Sequence, residues 1–196
     1  MPEAGVCAIV LAAGQGSRYR AAGGTDKLLA PSFRAAPAPP VLGATLANLR
    51  GVAERLVVVT NAENLPLRDW LSVNADGCEV LAVETRGLGH SLAQAIAYAP
   101  AARGWLVALA DMPYVQPRTL RAIAAAIHGD SLVVPTYHGH AGHPRGIGSA
   151  YRDVLLLLDG DRGAQALFAA HPLLEFSVDD PGVLQDIDHP DDRRPR

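Results

Sequence analysis

Residues 6–18 read VCAIVLAAGQGSR, an apolar run that ends in a loop of small residues. The run over 6–11 carries no charged or hydroxyl side chain on either face, which is typical of a strand buried in a parallel sheet with helices on both sides. Three later runs are also mostly apolar, at 56–59, 105–110 and 131–134. The sequence therefore predicts four buried strands.

Helical patterns separate these apolar runs. The predicted helices cover 45–55, 91–98, 117–128, 151–158 and 164–170. Strands that alternate with helices are typical of an α/β fold with a mostly parallel sheet. The segment 31–40 contains four prolines, which cannot continue a helix or a central strand, so we expect a surface loop there.

The composition is that of a globular protein. The chain has 196 residues with 49% hydrophobic side chains and a formal net charge of −3, so we expect a single domain over 1–196. It lacks the basic excess of a nucleic-acid binder, and its apolar runs are shorter than the roughly 20 residues that cross a bilayer. We therefore expect no nucleic-acid or membrane partner. Two isolated cysteines and no targeting segment favour a cytoplasmic location.

The loop after the first strand has the features of a phosphate site. Gly14 and Gly16 permit turns that point backbone amides at one anion. Arg18 and Lys27 add a planar fork and a point charge for phosphate oxygens. The GxxxxGK pattern of a Walker loop is absent, and Tyr19 stands where a dinucleotide-binding loop needs its third glycine, which disfavours an NAD-dependent oxidoreductase. On the glycines alone, an ordinary strand-to-helix turn remains the alternative.

Carboxylates follow the strand predicted over 105–110. Asp111 would lie at the carboxyl edge of the sheet, where α/β proteins bind ligands. Mg²⁺ prefers one or two carboxylates together with substrate phosphates. Asp186 and Asp188 would face one side of an extended segment, and either could complete a magnesium site. A helix or turn cap at Asp111 and a polar turn at 186–188 are the alternatives.

A series of short motifs extends over nearly the whole chain. They are LAAGQGSR (11–18), DKLL (26–29), GLGHSL (87–92), LADMP (109–113), GHPRG (142–146), GDRGAQALF (160–168) and DIDHPDD (186–192). In this order they resemble the motifs of the MobA-like nucleotidyltransferases, and most closely those of the molybdenum cofactor cytidylyltransferases. The resemblance implies a three-layer αβα, Rossmann-like nucleotidyltransferase fold with a mostly parallel mixed sheet.

The resemblance also implies a reaction. A nucleoside monophosphate would move to the phosphate of molybdopterin with release of pyrophosphate. The pattern Ala12-Ala13-Gly14 is that of the cytidylyltransferases, whereas guanylyltransferases carry Ala-Gly-Gly, so CTP is the expected nucleotide. Molybdopterin is the expected acceptor, and a molybdoenzyme or its chaperone is a further partner that the resemblance implies.

The resemblance assigns roles to particular residues. Arg18, Lys27 and Asp111 would be catalytic, with Arg18 and Lys27 on the triphosphate. Asp111 and Asp188 would hold Mg²⁺, because Asp188 rather than Asp186 matches the family's acid just before a Pro-Asp pair. The other residues expected to bind the nucleotide are Leu11, Ala12, Ala13, Gly14, Gly16, Ser17, Gly89, Ser91 and His143.

Some positions depart from the family pattern. Tyr19 and Arg20 stand where methionine and glycine are usual, and His90 replaces a small residue. Because these differences bear on the acceptor, transfer of guanosine nucleotide or use of a sugar phosphate or other small phosphate is an alternative. A nucleotide-binding partner module without catalysis is another. Three histidines lie close together in the sequence, at His138, His140 and His143. They suggest either a metal site or, as we expect, a loop that touches ligand or solvent.

Overall fold

The computed structural model describes residues 4–23, 25–33 and 37–193 of the chain. The strands are β1 (Ala4–Ala12), β2 (Arg55–Asn61), β3 (Glu79–Val83), β4 (Ala101–Leu109), β5 (Leu132–Tyr137), β6 (His140–Ala141), β7 (Arg145–Gly148) and β8 (Leu174–Ser177). The α-helices are α1 (Ser17–Ala21), α2 (Val41–Leu49), α3 (Leu65–Asn74), α4 (Leu88–Tyr98), α5 (Pro117–Ala126), α6 (Arg152–Leu156) and α7 (Gln165–Ala170).

The eight described strands form one mixed sheet. Its order is β3-β2-β1-β4-β7-β5-β6, and β8 pairs with β5. Strands β1 to β4 pair in parallel with one another, and β8 runs parallel to β5. Strand β7 runs antiparallel to both β4 and β5, between which it lies. The mostly parallel mixed α/β sheet expected from the sequence is confirmed.

Strand β1 explains why the fold has three layers. Its even-numbered side chains, from Val6 to Ala12, pack into one core cluster with side chains of α2, α3 and α5. Its odd-numbered side chains, from Cys7 to Leu11, pack into a second core cluster with side chains of α4, α6 and α7. A strand covered on both faces must be apolar at every position, which accounts for the unbroken apolar run.

The predicted elements agree with the structure except at one helix. The four predicted strands match β1, β2, β4 and β5 to within a few residues, and four of the predicted helices match α4 to α7. The helix predicted over 45–55 is wrong in its second half. Helix α2 ends at Leu49, Gly51 turns the chain with a φ of 68°, and Arg55 already begins β2.

Some elements of the fold were not predicted from the sequence, and the predicted proline-rich loop is only partly described. The sequence analysis did not predict β3, α3 and β7. In the loop predicted over 31–40, Pro31 and Pro40 form an isolated antiparallel bridge, and residues 34–36 of that loop lie outside the described residues. None of the described helices is long and apolar enough to span a membrane.

Candidate active site

The carboxyl ends of β1 and β4 lie side by side and hold the candidate site between them. Leu11 pairs with Leu109, and the Ala110 amide donates to the Leu11 carbonyl at 3.2 Å. The glycine loop therefore begins beside Asp111. The Ile187 amide donates to the Asp111 carbonyl at 3.0 Å, and this bond brings the C-terminal acidic segment to the same edge of the sheet.

The glycine loop presents its backbone to this edge. Gly16 has a φ of 59°, a left-handed conformation that favours glycine, and it directly precedes α1. The amides of Gly14, Gln15 and Gly16 donate to no backbone oxygen of the described residues. Three such amides in one turn are available to an anion.

Two cations and two carboxylates form an ion cluster at this edge. Lys27 Nζ lies 2.6 Å from Asp111 Oδ2 and 3.5 Å from Asp188 Oδ1. Arg18 Nη1 lies 2.7 Å from the other oxygen of Asp188, Oδ2. The Lys27 and Asp111 side chains are 13% and 19% exposed, whereas that of Arg18 is 74% exposed, so the lysine pair is the shielded part of the cluster.

The pKa values of Asp186 and Asp188 are shifted in opposite directions. Burial acts to raise the pKa of Asp188, but the hydrogen bond from Arg18 and the charges of Lys27 and Arg18 outweigh it, so that pKa lies below its ordinary value. The pKa of Asp186 is raised, first by burial and then by the negative charges of Asp111 and Asp188. Asp188 therefore shares Lys27 with Asp111 and also pairs with Arg18, and Asp186 adds like charge beside them.

The arrangement fits a divalent cation that is completed by substrate oxygens. Asp111 Oδ1 is buried and accepts no hydrogen bond within the described residues, so it keeps a free ligand position. The same residues contain no group of three His, Cys, Asp or Glu side chains that could hold a metal ion alone. Mg²⁺ is usually bound by one or two carboxylates together with substrate phosphates, which matches the Asp111–Asp188 pair.

A cavity of about 540 Å³ lies beside the ion cluster. A volume of this size is typical of small-molecule sites. Its lining includes six of the residues predicted from the sequence: Leu11, Ala12, Gly14, Gly16, Lys27 and Asp111. It also includes Asp26 and Asn64, to which the sequence analysis assigned no role in the site. The Asp26 carboxylate accepts hydrogen bonds from Leu28 N at 2.9 Å and Asn64 Nδ2 at 2.8 Å, which ties the Lys27 segment to the start of α3.

Other predicted residues lie elsewhere. Ala13 is buried in the core cluster on the α4 face, and Ser17 is the exposed first residue of α1. Gly89 packs against the backbone of 159–162, with its amide donating to the Gly160 carbonyl at 2.9 Å. Ser91 is buried, and its hydroxyl forms a hydrogen bond with Thr85 Oγ1, in the segment before α4, at 2.6 Å. These residues do not line the cavity beside the glycine loop.

The histidines do not form a metal site among the described residues. His138 and His140 lie on the exposed turn between β5 and β6 and at the start of β6. His143 instead lines a second, smaller cavity, where burial and then the charge of Arg145 lower its pKa to about 4. The expected loop in contact with solvent holds for His138, whereas His140 is an exposed residue of strand β6. No group of three metal-binding side chains occurs within the described residues.

The fold and the charged edge are those of an α/β nucleotidyltransferase. More particularly, the chain belongs to the family of MobA-like NTP transferase domains, whose family profile matches residues 8–175. The resemblance to the MobA-like family is thereby confirmed. The finer assignment to the molybdenum cofactor branch stays a prediction.

Solved structures similar to this chain come from bacteria and archaea. Rv0371c of Mycobacterium tuberculosis H37Rv is 31% identical with a TM-score of 0.79, and 95% of each chain is covered. A manganese complex of Rv0371c has a TM-score of 0.74 at 29% identity, again with 95% of each chain covered. A nucleotidyl transferase of Methanothermobacter thermautotrophicus is 26% identical with a TM-score of 0.78, covering 95% of this chain and 93% of its own.

A curated relative is much longer than this chain. The bifunctional protein GlmU of Paracidovorax citrulli is 30% identical over 171 residues, which are 81% of this chain and 34% of the relative. The chain therefore spans about a third of that relative's length.

Proposed function

We propose that this protein is a magnesium-dependent cytidylyltransferase that moves CMP from CTP to the phosphate of a molybdopterin-type acceptor and releases pyrophosphate. The observation that carries the proposal is the ion cluster of Lys27, Asp111, Asp188 and Arg18 at the rim of the cavity beside the glycine loop. Its two carboxylates can bind a metal ion, and its two cations can bind a triphosphate.

Binding of the nucleotide would exchange partners within the cluster. Lys27 and Arg18 would move from the carboxylates to the phosphate oxygens, and the amides of Gly14, Gln15 and Gly16 would donate to the same chain of phosphates. Asp111 and Asp188, released from the cations, would hold Mg²⁺, which supplies charge neutralisation to the phosphates when it is bound. Each charge in the site would then have a new partner of opposite sign.

The chemical step is a displacement at phosphorus. An oxygen of the acceptor phosphate would attack the α-phosphorus, and the bond from that phosphorus to the bridging oxygen of pyrophosphate would break. Little covalent chemistry falls to the protein in such a transfer, so alignment and stabilisation of negative charge provide most of the catalysis. Lys27 and Arg18 would stabilise the charge that develops on the pyrophosphate, and the shielded position of Lys27 strengthens its effect.

Transfer to another small phosphate is the second candidate. The 30% identity to a bifunctional GlmU protein keeps acceptors other than molybdopterin open. Ala13, one of the residues on which the expectation of CTP rests, packs into the core instead of lining the cavity beside the glycine loop.

Pyrophosphate release by the purified protein tests the proposal. We expect release with CTP, Mg²⁺ and molybdopterin, and little with GTP or with glucose 1-phosphate as acceptor. Release with GTP but not CTP would overturn the base, and release with the sugar phosphate alone would overturn the acceptor. Tight CTP binding without turnover on any acceptor would leave a nucleotide-binding module without catalysis.

A set of matched carboxylate variants tests the metal pair. We expect Asp111→Asn and Asp188→Asn to lower turnover by about 10²–10³-fold, the loss typical of removing one electrostatic contact to a transition state. Asp186→Asn and Glu63→Gln serve as controls. The first removes a carboxylate two positions away, and the second removes one from the lining of the cavity beside the glycine loop. Full activity in Asp111→Asn, or equal losses in Asp186→Asn and Asp188→Asn, would contradict the assignment.

A further inference from the structure

A second cavity, of about 230 Å³, lies on the face of the sheet that α4 and α7 cover. Its walls come from β1, β4, β7, α4 and α7 and are mostly apolar, with Leu92, Val107 and Phe168 among them. Leu11 lines this cavity and also the cavity beside the glycine loop, so the two share a wall. We call it the Arg145 cavity, after its one charged residue.

Arg145 is the one charged side chain among the described residues that line this cavity. It lies on β7 opposite Val107 of β4 and is half-buried. Burial lowers the pKa of its guanidinium. No carboxylate of the described residues pairs with it, and its contact is with the ring of Phe168, whose centroid lies 5.1 Å from Cζ.

Three arginines of the described residues with polar partners serve as a comparison. Arg55 pairs with Glu79 at 2.8 Å, Arg86 pairs with Asp159 at 3.1 Å, and Arg103 donates to carbonyls at the end of α5. Contact with an aromatic face offsets part of the cost of removing a guanidinium from water, but no acceptor within the described residues binds the five N–H donors of Arg145. A planar cation in this state matches a phosphate or carboxylate, which it can bind through two parallel hydrogen bonds.

Two further polar groups line the same cavity. His143 has a pKa lowered to about 4, by burial and then by the charge of Arg145, so its imidazole is neutral at pH 7. Gln165 supplies an amide. One cation, one neutral imidazole and one amide on otherwise apolar walls are the composition of a small-molecule pocket, in which a few polar groups fix the orientation of a mainly apolar ligand.

We propose that the Arg145 cavity binds an oxyanion, either phosphate or carboxylate, that is carried on a flat ring. Arg145 recognises the anion, the apolar side chains pack on the faces of the ring, and His143 and Gln165 are available to its edge. The shared wall at Leu11 brings this ligand next to the glycine loop, so the cavity recognises the acceptor. The assignment to the acceptor rests on the proposed function, whereas the anion site itself does not.

Calorimetric titration with small probes tests the site. Phenyl phosphate and phenylacetate carry the two kinds of oxyanion on a single ring, which suits the volume of the cavity, and benzyl alcohol lacks the charge. We expect at least one of the two anions to bind the wild-type protein and Arg145→Met to weaken it at least tenfold. The better anion identifies the group that Arg145 recognises. Benzyl alcohol should bind both proteins within threefold of each other.

Two matched variants control the experiment. Arg86→Met removes a guanidinium that already has the Asp159 carboxylate as partner, and we expect the anion affinity to change less than threefold. Arg145→Lys keeps the charge and should retain more anion affinity than Arg145→Met, which keeps the test open if the methionine variant does not fold. Anion affinity that is unchanged in Arg145→Met, or no binding of either anion to the wild type, would overturn the proposal.

Titration with CTP and Mg²⁺ separates this inference from the proposed function. Arg145→Met should bind the magnesium nucleotide within threefold of the wild type, because Arg145 does not line the cavity beside the glycine loop. An equal loss of anion and nucleotide affinity would assign Arg145 to the nucleotide and overturn the inference. Binding of the aromatic anion by a wild type that binds no nucleoside triphosphate would uphold the anion site and reject the proposed function.

Discussion

Lys27 occupies the position that a divalent cation would need. Its ammonium contacts one oxygen of Asp111 and one of Asp188, which are the carboxylates proposed to hold the metal. Lysine and metal therefore compete for the same two carboxylates as long as no phosphate draws the lysine away. It follows that metal and nucleotide should bind cooperatively, since each releases the partner of the other.

Replacement of Lys27 by glutamine tests this competition. We expect the Kd for Mn²⁺ in the absence of nucleotide to fall at least tenfold, which corresponds to about 1.4 kcal/mol. Opposite charges about 4 Å apart attract by roughly 4 kcal/mol at the effective dielectric of a protein surface, and the water that the displaced ammonium regains offsets part of this. The Kd for the magnesium nucleotide should rise at least tenfold. Electron paramagnetic resonance of free Mn²⁺ measures the first quantity and calorimetry the second.

Arg20→Gln is the matched control for Lys27→Gln. Arg20 also lines the cavity beside the glycine loop, but its guanidinium donates to the Gln15 carbonyl instead of a carboxylate. It loses the same charge and should change the Kd for Mn²⁺ less than threefold. Equal Mn²⁺ affinities in Lys27→Gln and the wild type would rule out the competition.

Asp186 gives a stability prediction that depends on pH. Its pKa is raised in the folded protein, by burial and by neighbouring carboxylates, so its ionised form disfavours folding above that pKa. Asp186→Asn should therefore raise the Tm at pH 7, by roughly 1–2 °C. The gain should shrink as the pH falls through the folded pKa and vanish below the unfolded one. Calorimetry from pH 7 to pH 3 measures it, and a lower Tm at pH 7 would contradict the sign.

At the scale of the element, helix α4 depends on a glycine in its first turn. A Cβ on Gly89 would lie 2.8 Å from the Arg162 carbonyl and 2.9 Å from the Asp159 carbonyl. Gly89→Ala should thus cost about 1–3 kcal/mol of unfolding free energy, although alanine favours helices. In Gly43→Ala of α2 the Cβ would meet Trp70 at 3.4 Å, so we expect no loss there. Urea denaturation compares the two, and equal stabilities would contradict the close approach.

The elements differ in how well the sequence predicts them. Strands β1, β2, β4 and β5 are covered on both faces, and burial of that kind leaves an apolar run that can be recognised without a structure. Strand β3, at the edge of the sheet, has exposed or half-buried side chains at four of its five positions, and β7 is half glycine. A side chain at Gly146 or Gly148 of β7 would clash with residues that are distant in sequence. The glycines therefore reflect long-range packing, and no local pattern indicates a strand there.

The candidate site was predictable in parts. Lys27, Asp111 and Asp188 each follow a recognisable local motif, and the structure brings them within ion-pair distance. Arg145 and Asn64 escaped notice because their significance depends on long-range neighbours. Arg145 is notable because no carboxylate of the described residues pairs with it, and Asn64 because it donates a hydrogen bond to Asp26 from the residue before α3.

At the scale of the whole molecule, ligand binding should stabilise the fold, because the site joins the glycine loop, the end of β4 and the C-terminal acidic segment. CTP with Mg²⁺ at about 100 times the Kd should add about 2.7 kcal/mol to the unfolding free energy. That corresponds to a rise in Tm of roughly 5–10 °C for a chain of this size. CTP or Mg²⁺ alone should shift the Tm much less. A thermal-shift assay measures this, and a full shift with Mg²⁺ alone would exclude the exchange of partners.

The position of β7 has a consequence for the synthesis of the protein. Strand β7 follows β5 along the chain but lies between β4 and β5 in the sheet. On the ribosome, β4 and β5 must therefore wait with unpaired edges until residues 145–148 emerge. Open strand edges readily pair with other chains, so a translational pause or a protease cut between β5 and β7 would expose the nascent protein to aggregation at one defined stage.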